Sequence, residues 1–497
     1  MLDPFLLIVC LLGILIGTLG GVLPGLGPTG TMVLVLPFVF TMEPLPALII
    51  LVGIMFGCNY GNSTAAILLN IPGDPAAVAT AIDGHKMASG GRPGPALAIA
   101  ALSSTFGQLL AIAGVAVLSV ALAPIAISFG PTELFALGLL GLTLVASLST
   151  GSAIKAYLSG GLGLVLVLPG LDPMSGLPRF TFGIAELTSG FGLVPVAMGI
   201  FAFGEIFYSI ENKLTKPKIG RLGKLMPSRD DFRHSLPATI RGSLLGFFIG
   251  ILPGAGPTPA SFAAYGLEAR VGKRRKLLGT GIAEGVAAPE SANNAAAGGA
   301  LVPMLTLAIP GSAPTAVILG ALIVLGVHPG PLFLSEQRDL FWGIIAACVI
   351  ATALLLIVNL PLVGVWATVL RTPFPLLMTI LLTITVAGIY SVQNSIFDIW
   401  VALGFGVLGY FLRRAEVPLA PLILGFVLAE IIENSLRQGL LIGHGSFESF
   451  LTRPVSATLL ALCLLIVVAP PAIKAWRKSR EKRRNAREPG LVDASHQ

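Results

Sequence analysis

Apolar runs separated by short polar stretches cover nearly the whole chain. Residues 5–19, 136–148, 341–358 and 455–469 carry no charged side chain and approach or reach the roughly 20 residues that cross a bilayer's hydrocarbon as a helix. Two runs are interrupted in the same way. The first break reads Gly21-Val22-Leu23-Pro24-Gly25-Leu26-Gly27-Pro28-Thr29, and the second reads Gly250-Ile251-Leu252-Pro253-Gly254-Ala255-Gly256-Pro257-Thr258. Pro removes a backbone donor and clashes with the preceding turn, while Gly lets the chain change direction. Each copy is therefore expected to break its helix inside or at the edge of the bilayer. Broken backbone at that depth is tolerated only where protein or a water-filled cavity covers it. Paired breaks, one in each half of a membrane chain, point to a transporter's binding site.

The rest of the pattern predicts an all-α polytopic membrane protein with about eleven crossings plus re-entrant segments. Residues 5–42 form two segments around the first break, 46–71 a crossing and 72–92 a polar loop or hairpin. Crossings follow near 96–124, 131–150, 153–170 and 185–209. After a second broken pair in 237–269 come interrupted segments at 278–300 and 301–327. Five more crossings are expected near 338–361, 373–390, 394–411, 417–435 and 455–474.

Three anchors recur in order. The two breaks are 229 positions apart, Ile71-Pro72-Gly73 answers to Ile309-Pro310-Gly311 at 238, and Pro93-Gly94-Pro95 answers to Pro329-Gly330-Pro331 at 236. The chain thus reads as two homologous halves, 1–211 and 236–453. Residues 212–235 form a linker, 454–475 an extra C-terminal crossing without counterpart, and 476–497 a basic tail.

Composition agrees. Of 497 residues, 55% are hydrophobic and 11% charged, with mean hydropathy +0.89, whereas a soluble domain carries about 25% charged residues. The net charge of +7 is concentrated in 213–241, 273–276 and 474–487. Cytoplasmic flanks explain these clusters, so membrane lipid is the expected surroundings and nucleic acid is not an expected partner. Cys10, Cys58, Cys348 and Cys463 show neither pairing nor metal spacing. The N-terminus lacks the basic region of a signal peptide, so 5–19 reads as a retained membrane segment.

Charge placement sets orientation. Only Asp3 precedes the first break, but a basic linker precedes the second. Glu43 follows the first break, and Lys273-Arg274-Arg275-Lys276 follows the second. Lys86 and Arg92 precede the first Pro-Gly-Pro, while Val327-His328 precedes the second. Basic residues swap sides at all three positions, so the halves are expected to be inverted, with the N-terminus outside and the C-terminus and linker in the cytoplasm. Arg179, Arg437 and Arg453 would then lie outside, against the rule.

Candidate chemistry sits at the breaks. Pro28 and Pro257 suit the first turn of a new helix, whose amides and positive dipole end favour a carboxylate. Substrate contacts are expected from Gly25, Gly27, Pro28, Thr29, Gly254, Gly256, Pro257 and Thr258. Side-chain contacts are expected from Asn62, Ser63, Thr64, Ser291, Asn293 and Asn294, polar residues set in apolar runs. Asn70, Asp74, Glu284 and Glu290 are candidates for the coupling cation; Asp83 is a weaker one. The bland alternatives are packing kinks at the breaks and interhelical hydrogen bonds at the polar positions. No ATP-binding loop and no catalytic motif occurs, so transport energy comes from an ion gradient, Na⁺ or H⁺, or from a partner chain.

The two Leu-Pro-Gly-X-Gly-Pro-Thr copies, Tyr60-Gly61-Asn62-Ser63-Thr64, Asn70-Ile71-Pro72-Gly73-Asp74-Pro75 and the run Pro289-Glu290-Ser291-Ala292-Asn293-Asn294-Ala295-Ala296-Ala297-Gly298-Gly299 resemble the large membrane subunit of the tripartite tricarboxylate transporters. The resemblance covers almost the whole chain apart from the tail. It implies a bacterial inner-membrane secondary carrier, N-terminus periplasmic, that works with a small membrane subunit and a periplasmic solute-binding protein. It also implies symport of a di-, tri- or aromatic carboxylate with Na⁺ or H⁺, and no enzymatic activity or organic cofactor. Inverted halves with broken helices resemble elevator-type carriers by fold analogy. The nearest rival is an anion carrier independent of a binding protein; a membrane-embedded enzyme and a scaffold subunit without a pathway are further ones.

Overall fold

The first helix shows how local sequence sets the ends of an element. In the computed structural model α1 (Pro4–Val22) starts behind Asp3, whose carboxylate accepts the Phe5 N–H at 2.9 Å, and has Pro at its first position. It ends where the first break begins. The structure describes residues 3–23, 26–71, 73–148, 152–211, 224–369 and 374–469. The expected tail at 476–497 and most of the expected linker lie outside them.

Past the break, α2 (Gly27–Val39) resumes, followed by α3 (Pro44–Leu69), α4 (Ala77–Ser89), α5 (Pro93–Ile127), α6 (Pro131–Leu148) and α7 (Ala153–Leu166). An antiparallel hairpin pairs Gly170–Leu171 with Pro178–Arg179. Next, α8 (Leu193–Met198) continues through a π turn, Gly199–Phe203, into α9 (Gly204–Glu211). α10 (Arg229–Ile251) opens on a Ser228–Asp231 capping box and runs to the second break. Then come α11 (Pro257–Val271), α12 (Ala283–Gly299), α13 (Leu301–Leu307), α14 (Ala313–Val324), α15 (Phe333–Glu336), α16 (Arg338–Asn359) and α17 (Val363–Val369). The described chain closes with α18 (Phe374–Gln393), α19 (Ile396–Arg414), α20 (Ala420–Ile442), α21 (Glu448–Thr452) and α22 (Pro454–Ala469).

Among the described residues seven helices are long and apolar enough to cross a membrane, and five shorter apolar helices accompany them. The sequence pattern suggested about eleven crossings. The difference has local causes. α2, α14 and α13 are pieces cut short by breaks, and α10, α12 and α20 carry carboxylates or arginines that lower their apolarity.

α3 lies at the centre, buried from Pro46 to Leu68 between α1, α2, α4, α5 and α16. Its approach to α1 is set by glycine. A Cβ at Gly13 would stand 2.6 Å from the Ile50 carbonyl oxygen, and Cβ atoms at Gly17 and Gly21 would collide with the backbones of Ile54 and Cys58. α3 answers with Gly53, Gly57 and Gly61. Small residues four apart let two helix backbones touch, which in a membrane replaces the missing hydrophobic drive. The same arrangement joins α10 to α12: Cβ atoms at Gly242, Gly246 and Gly250 would collide with the carbonyls of Ala288, Ala292 and Ala296. Those residues lie 229 and 238 positions after their counterparts. The left-handed cap of α3, Asn70 (φ 56°, ψ 29°), likewise matches that of α13, Ala308 (φ 57°, ψ 26°).

Charged groups gather in two places. Arg92 pairs with Asp231, Lys86 donates to the Gly279 carbonyl, and Arg274 lies near Asp230 and Glu284. Asp83 is fully buried there and accepts the backbone N–H groups of Gly279, Gly281 and Ile282 at 2.7–3.1 Å and the Tyr265 hydroxyl at 2.8 Å. It holds the start of α12, and its oxygens are used up by protein donors. Elsewhere, Arg179 and Arg437 bridge Asp172 and Glu433 at 2.6–3.2 Å, and Arg453 pairs with Glu133 at 3.2 Å. The three arginines that ran against the orientation scheme are thus each matched by a carboxylate.

Two predictions follow from this packing. Gly17→Ala and Gly246→Ala should each lower stability by about 1–3 kcal/mol through overpacking, read as a lower melting temperature in detergent. Gly161→Ala, on the exposed side of α7 where a Cβ meets nothing within 4 Å, should be neutral or stabilising. The second prediction concerns pH. The Ser175 backbone N–H, with that of Met174 and the Arg437 guanidinium, holds the Asp172 carboxyl well below the usual carboxylate range. A depressed folded-state value stabilises the protein above the unfolded-state value and is lost as pH falls toward the folded one. The melting-temperature loss on Asp172→Asn should therefore be constant between about pH 5 and 8 and shrink only below about pH 4.

Candidate functional site: a cavity between the two helix breaks

Both breaks restart their helices in the same way. Gly27 (φ +56°) opens α2 with Pro28 behind it, and Gly256 (φ +65°) caps α11 with Pro257 at its first position. Only glycine takes these angles freely. Neither start has a side-chain cap, so first-turn amides are left without an acceptor from their own helix or a capping side chain. Each break rests on a glycine and the residue after it in its own half, Gly73-Asp74 or Gly311-Ser312. A Cβ at Gly27 would stand 3.7 Å from Asp74 Oδ2 and 3.7 Å from the Gly73 carbonyl oxygen. A Cβ at Gly256 would stand 3.4 Å from Ser312 Cβ and 3.8 Å from the Gly311 carbonyl oxygen. The two tips thus differ chiefly in carrying a carboxylate on one side and a hydroxymethyl group on the other.

The tips line one cavity of about 410 Å³, a size suited to a small organic ligand. Gly27, Pro28 and Thr29 meet Gly254, Gly256, Pro257 and Thr258 there, with Asp74 and Ser312 beside them. Asn59 of α3 also lines it, and its buried Nδ2 has no hydrogen-bond partner. The π turn widens the helix around Gly199–Phe203 and presents Ile200, Phe201, Gly204 and Glu205 to the wall. The far side is the end of α19, with Arg413, and the turn to α20, with Val417 and Leu419. Met55, Val145 and Leu424 supply apolar surface.

Among the described residues, three charged side chains line the cavity: Asp74, Glu205 and Arg413. Asp74 Oδ1 accepts the Ala76 N–H at 2.8 Å. Glu205 and Arg413 form an ion pair, Ser209 donates to Glu205 Oε1 at 2.9 Å, and the guanidinium lies 4.3 Å over the Tyr208 ring.

The structure divides the sequence-selected residues into two groups. Gly27, Pro28, Thr29, Gly254, Gly256, Pro257, Thr258 and Asp74 line the cavity; Gly25 lies outside the described residues. The others lie outside the lining. Asn62 Oδ1 points at Gly73, where a Cβ would crowd it, and it has no hydrogen-bond partner. Thr64 donates to the Tyr60 carbonyl, Ser291 to the Ala288 carbonyl and Asn294 to the Glu290 carbonyl, all within their own helices. Asn293 is buried on α12. Asn70 caps α3, and Glu284 faces Arg274. Glu290 is fully enclosed, accepting the hydroxyls of Ser63 (2.7 Å), Thr80 (2.5 Å) and Ser104 (3.0 Å) from α3, α4 and α5.

Sequence reasoning missed Glu205 and Arg413. Arg413 stands at the end of an apolar helix, where a charge is unremarkable, and 208 positions separate the two. A weak signal was present, since Glu205 is the one charged residue in the apolar run 193–210.

A family model described as "Tripartite tricarboxylate transporter TctA family" matches residues 7–424. The chain is similar to an "Uncharacterized 52.8 kDa protein in TAR-I ttuC' 3'region" of Agrobacterium vitis, at 43% identity over 479 residues, covering 96% of this chain and 95% of that one. It is also similar to an "Uncharacterized protein in TAR-II ttuC' 3'region" of the same organism, at 43% over 234 residues, covering 47% of this chain and 97% of that one. No solved structure matches. Many helices apolar enough to cross a membrane, a cavity walled by two broken-helix tips and a match over most of the length agree: this chain belongs to the TctA family of tripartite tricarboxylate transporters, a transport family and not an enzyme family.

Proposed function

We propose that this subunit moves a small organic carboxylate through the inner membrane by alternating access. It would be supplied by a periplasmic solute-binding protein and accompanied by a small membrane subunit. The single observation that carries the reading is that both breaks, 229 positions apart, wall one cavity. Uncapped helix starts from two sides offer an anion two sets of free amides and two positive dipole ends. Thr29 and Thr258 add hydroxyls at the same level.

The coupling cation, Na⁺ or H⁺, is assigned to Asp74. Of the four candidates it alone reaches the cavity. Asn59, with its unsatisfied amide, lines the same space. Glu290 is assigned a structural role, tying three helices of the first half to α12.

The two halves, 1–211 and 236–453, are read as inverted repeats. The matched glycine contacts and matched left-handed caps support this, as does the meeting of Lys86 and Arg92 with the 224–231 and 273–281 stretches in one charged zone. That zone is placed in the cytoplasm and the N-terminus in the periplasm. Rigid-body movement of the cavity-bearing helices, as in elevator carriers, is the motion such repeats suggest.

The test is uptake of citrate, succinate and benzoate into vesicles holding all three components. Thr29→Val and Thr258→Val should each lower uptake about tenfold, in line with a lost hydrogen bond to a charged group. Asp74→Asn should flatten the dependence on Na⁺ or pH. Glu290→Gln should lower the melting temperature and leave ion dependence in place. Unchanged uptake in both threonine variants would overturn the assignment.

A further inference from the structure

We propose that Arg413 is the cation that grips the substrate's carboxylate, and that Glu205 is a built-in competitor which holds the guanidinium when the cavity is empty. The proposal rests on the carboxylate-carrier reading above and names the residue that sets its charge preference.

Three observations support it. Among the described residues lining the cavity, Arg413 is the one cation, set against two carboxylates. A site for an anion with a net negative wall needs that guanidinium to be available. Second, Arg413 is held as a movable group would be. It keeps a third of its side-chain surface exposed, whereas Glu205 is nearly enclosed at 5%. Its partners are one carboxylate and the face of Tyr208, both carried by the π-turn helix rather than by α19. The planar guanidinium can pivot on the ring and exchange one carboxylate for another without losing its stacking contact. Third, Glu205 has a second partner in place. Ser209 donates to its Oε1 at 2.9 Å, so one carboxylate oxygen keeps a donor when Arg413 turns away.

Arg414 is the internal comparison. It is the next residue, 60% exposed, and pairs loosely with Glu211 at 3.7 Å outside the cavity lining. It behaves as an ordinary cation at a helix C-terminus. If Arg413 served only to finish the helix and bind Glu205, its replacement would resemble that of Arg414, and variants of Glu205 and Arg413 would act in the same direction.

The competition model requires opposite directions. Binding to the purified full-length chain in lipid nanodiscs is followed by the rise in melting temperature with citrate, succinate and benzoate, each titrated separately. Arg413→Gln should weaken the response about tenfold or abolish it, as expected for loss of a charge-assisted hydrogen bond. Glu205→Gln should tighten it severalfold, since the substrate no longer displaces a charged rival. Arg413→Lys should restore part of the response, and Arg414→Gln should match wild type. Loss of response in both Glu205→Gln and Arg413→Gln would mark a purely structural ion pair and overturn the proposal. So would an Arg413→Gln response equal to wild type, which leaves the carboxylate reading standing. If no acid stabilises the wild-type chain, the carboxylate reading falls and the proposal with it.

Discussion

Two helices stop and restart inside the protein, and each restart leaves backbone N–H groups that no residue of its own helix and no capping side chain accepts. In water this would cost little. Away from water an unsatisfied amide costs about 1–3 kcal/mol, so the stops are tolerable only where polar space is provided. The cavity between Gly27 and Gly256 is that space. Its existence depends on the glycine and alanine ridges of α1, α3, α10 and α12, which bring backbones into contact and leave no slack behind the breaks. The deficit at the helix starts is what a bound anion would relieve, so the feature least favourable to folding is the one most useful for binding.

The buried carboxylates sort by what surrounds them. Asp83 is saturated by backbone amides and a tyrosine, Glu268 by the bidentate guanidinium of Arg241, and Glu290 by three hydroxyls. A carboxylate whose oxygens all meet protein donors has little left for a ligand. Asp74 and Glu205 differ because each has an oxygen near open space or near a partner that can move. Burial alone therefore says little about role, and the destination of each lone pair says most of it.

That distinction also explains what the sequence could reveal. The breaks were legible because Pro and Gly act locally, whatever packs around them, and Asp74 was legible because it directly follows such a turn. Asn62, Ser63, Asn293 and Asn294 stood out as polar residues in apolar runs. Yet α3 and α12 are enclosed on every side, so no amphipathic stripe distinguishes a cavity-facing residue from one facing a neighbouring helix. Asn59, one turn before Ser63, is the residue that faces the cavity. The contact of Gly13, Gly17 and Gly21 with α3 was not read from the chain, because small residues four apart do not name their partner helix. The Glu205–Arg413 pair was beyond reach, because pairing across 208 positions is a property of the fold.

The cavity also shows why a duplicated frame need not make a symmetric site. If both halves contributed identical tips, the space between them would offer two equal ends, and one asymmetric acid could bind in either direction. Under the proposed reading, Asp74 beside one tip and Ser312 beside the other would remove that degeneracy, because a carboxylate would repel the acid and attract the cation on one side only. Arg413 adds a second bias, since it comes from the end of α19 and not from a tip. Under the reading proposed here, the repeated backbone supplies a common frame and free N–H groups that suit the anion. The unrepeated side chains then decide which ion goes where, so specificity should evolve at Asp74, Glu205 and Arg413 while the glycines and prolines stay fixed.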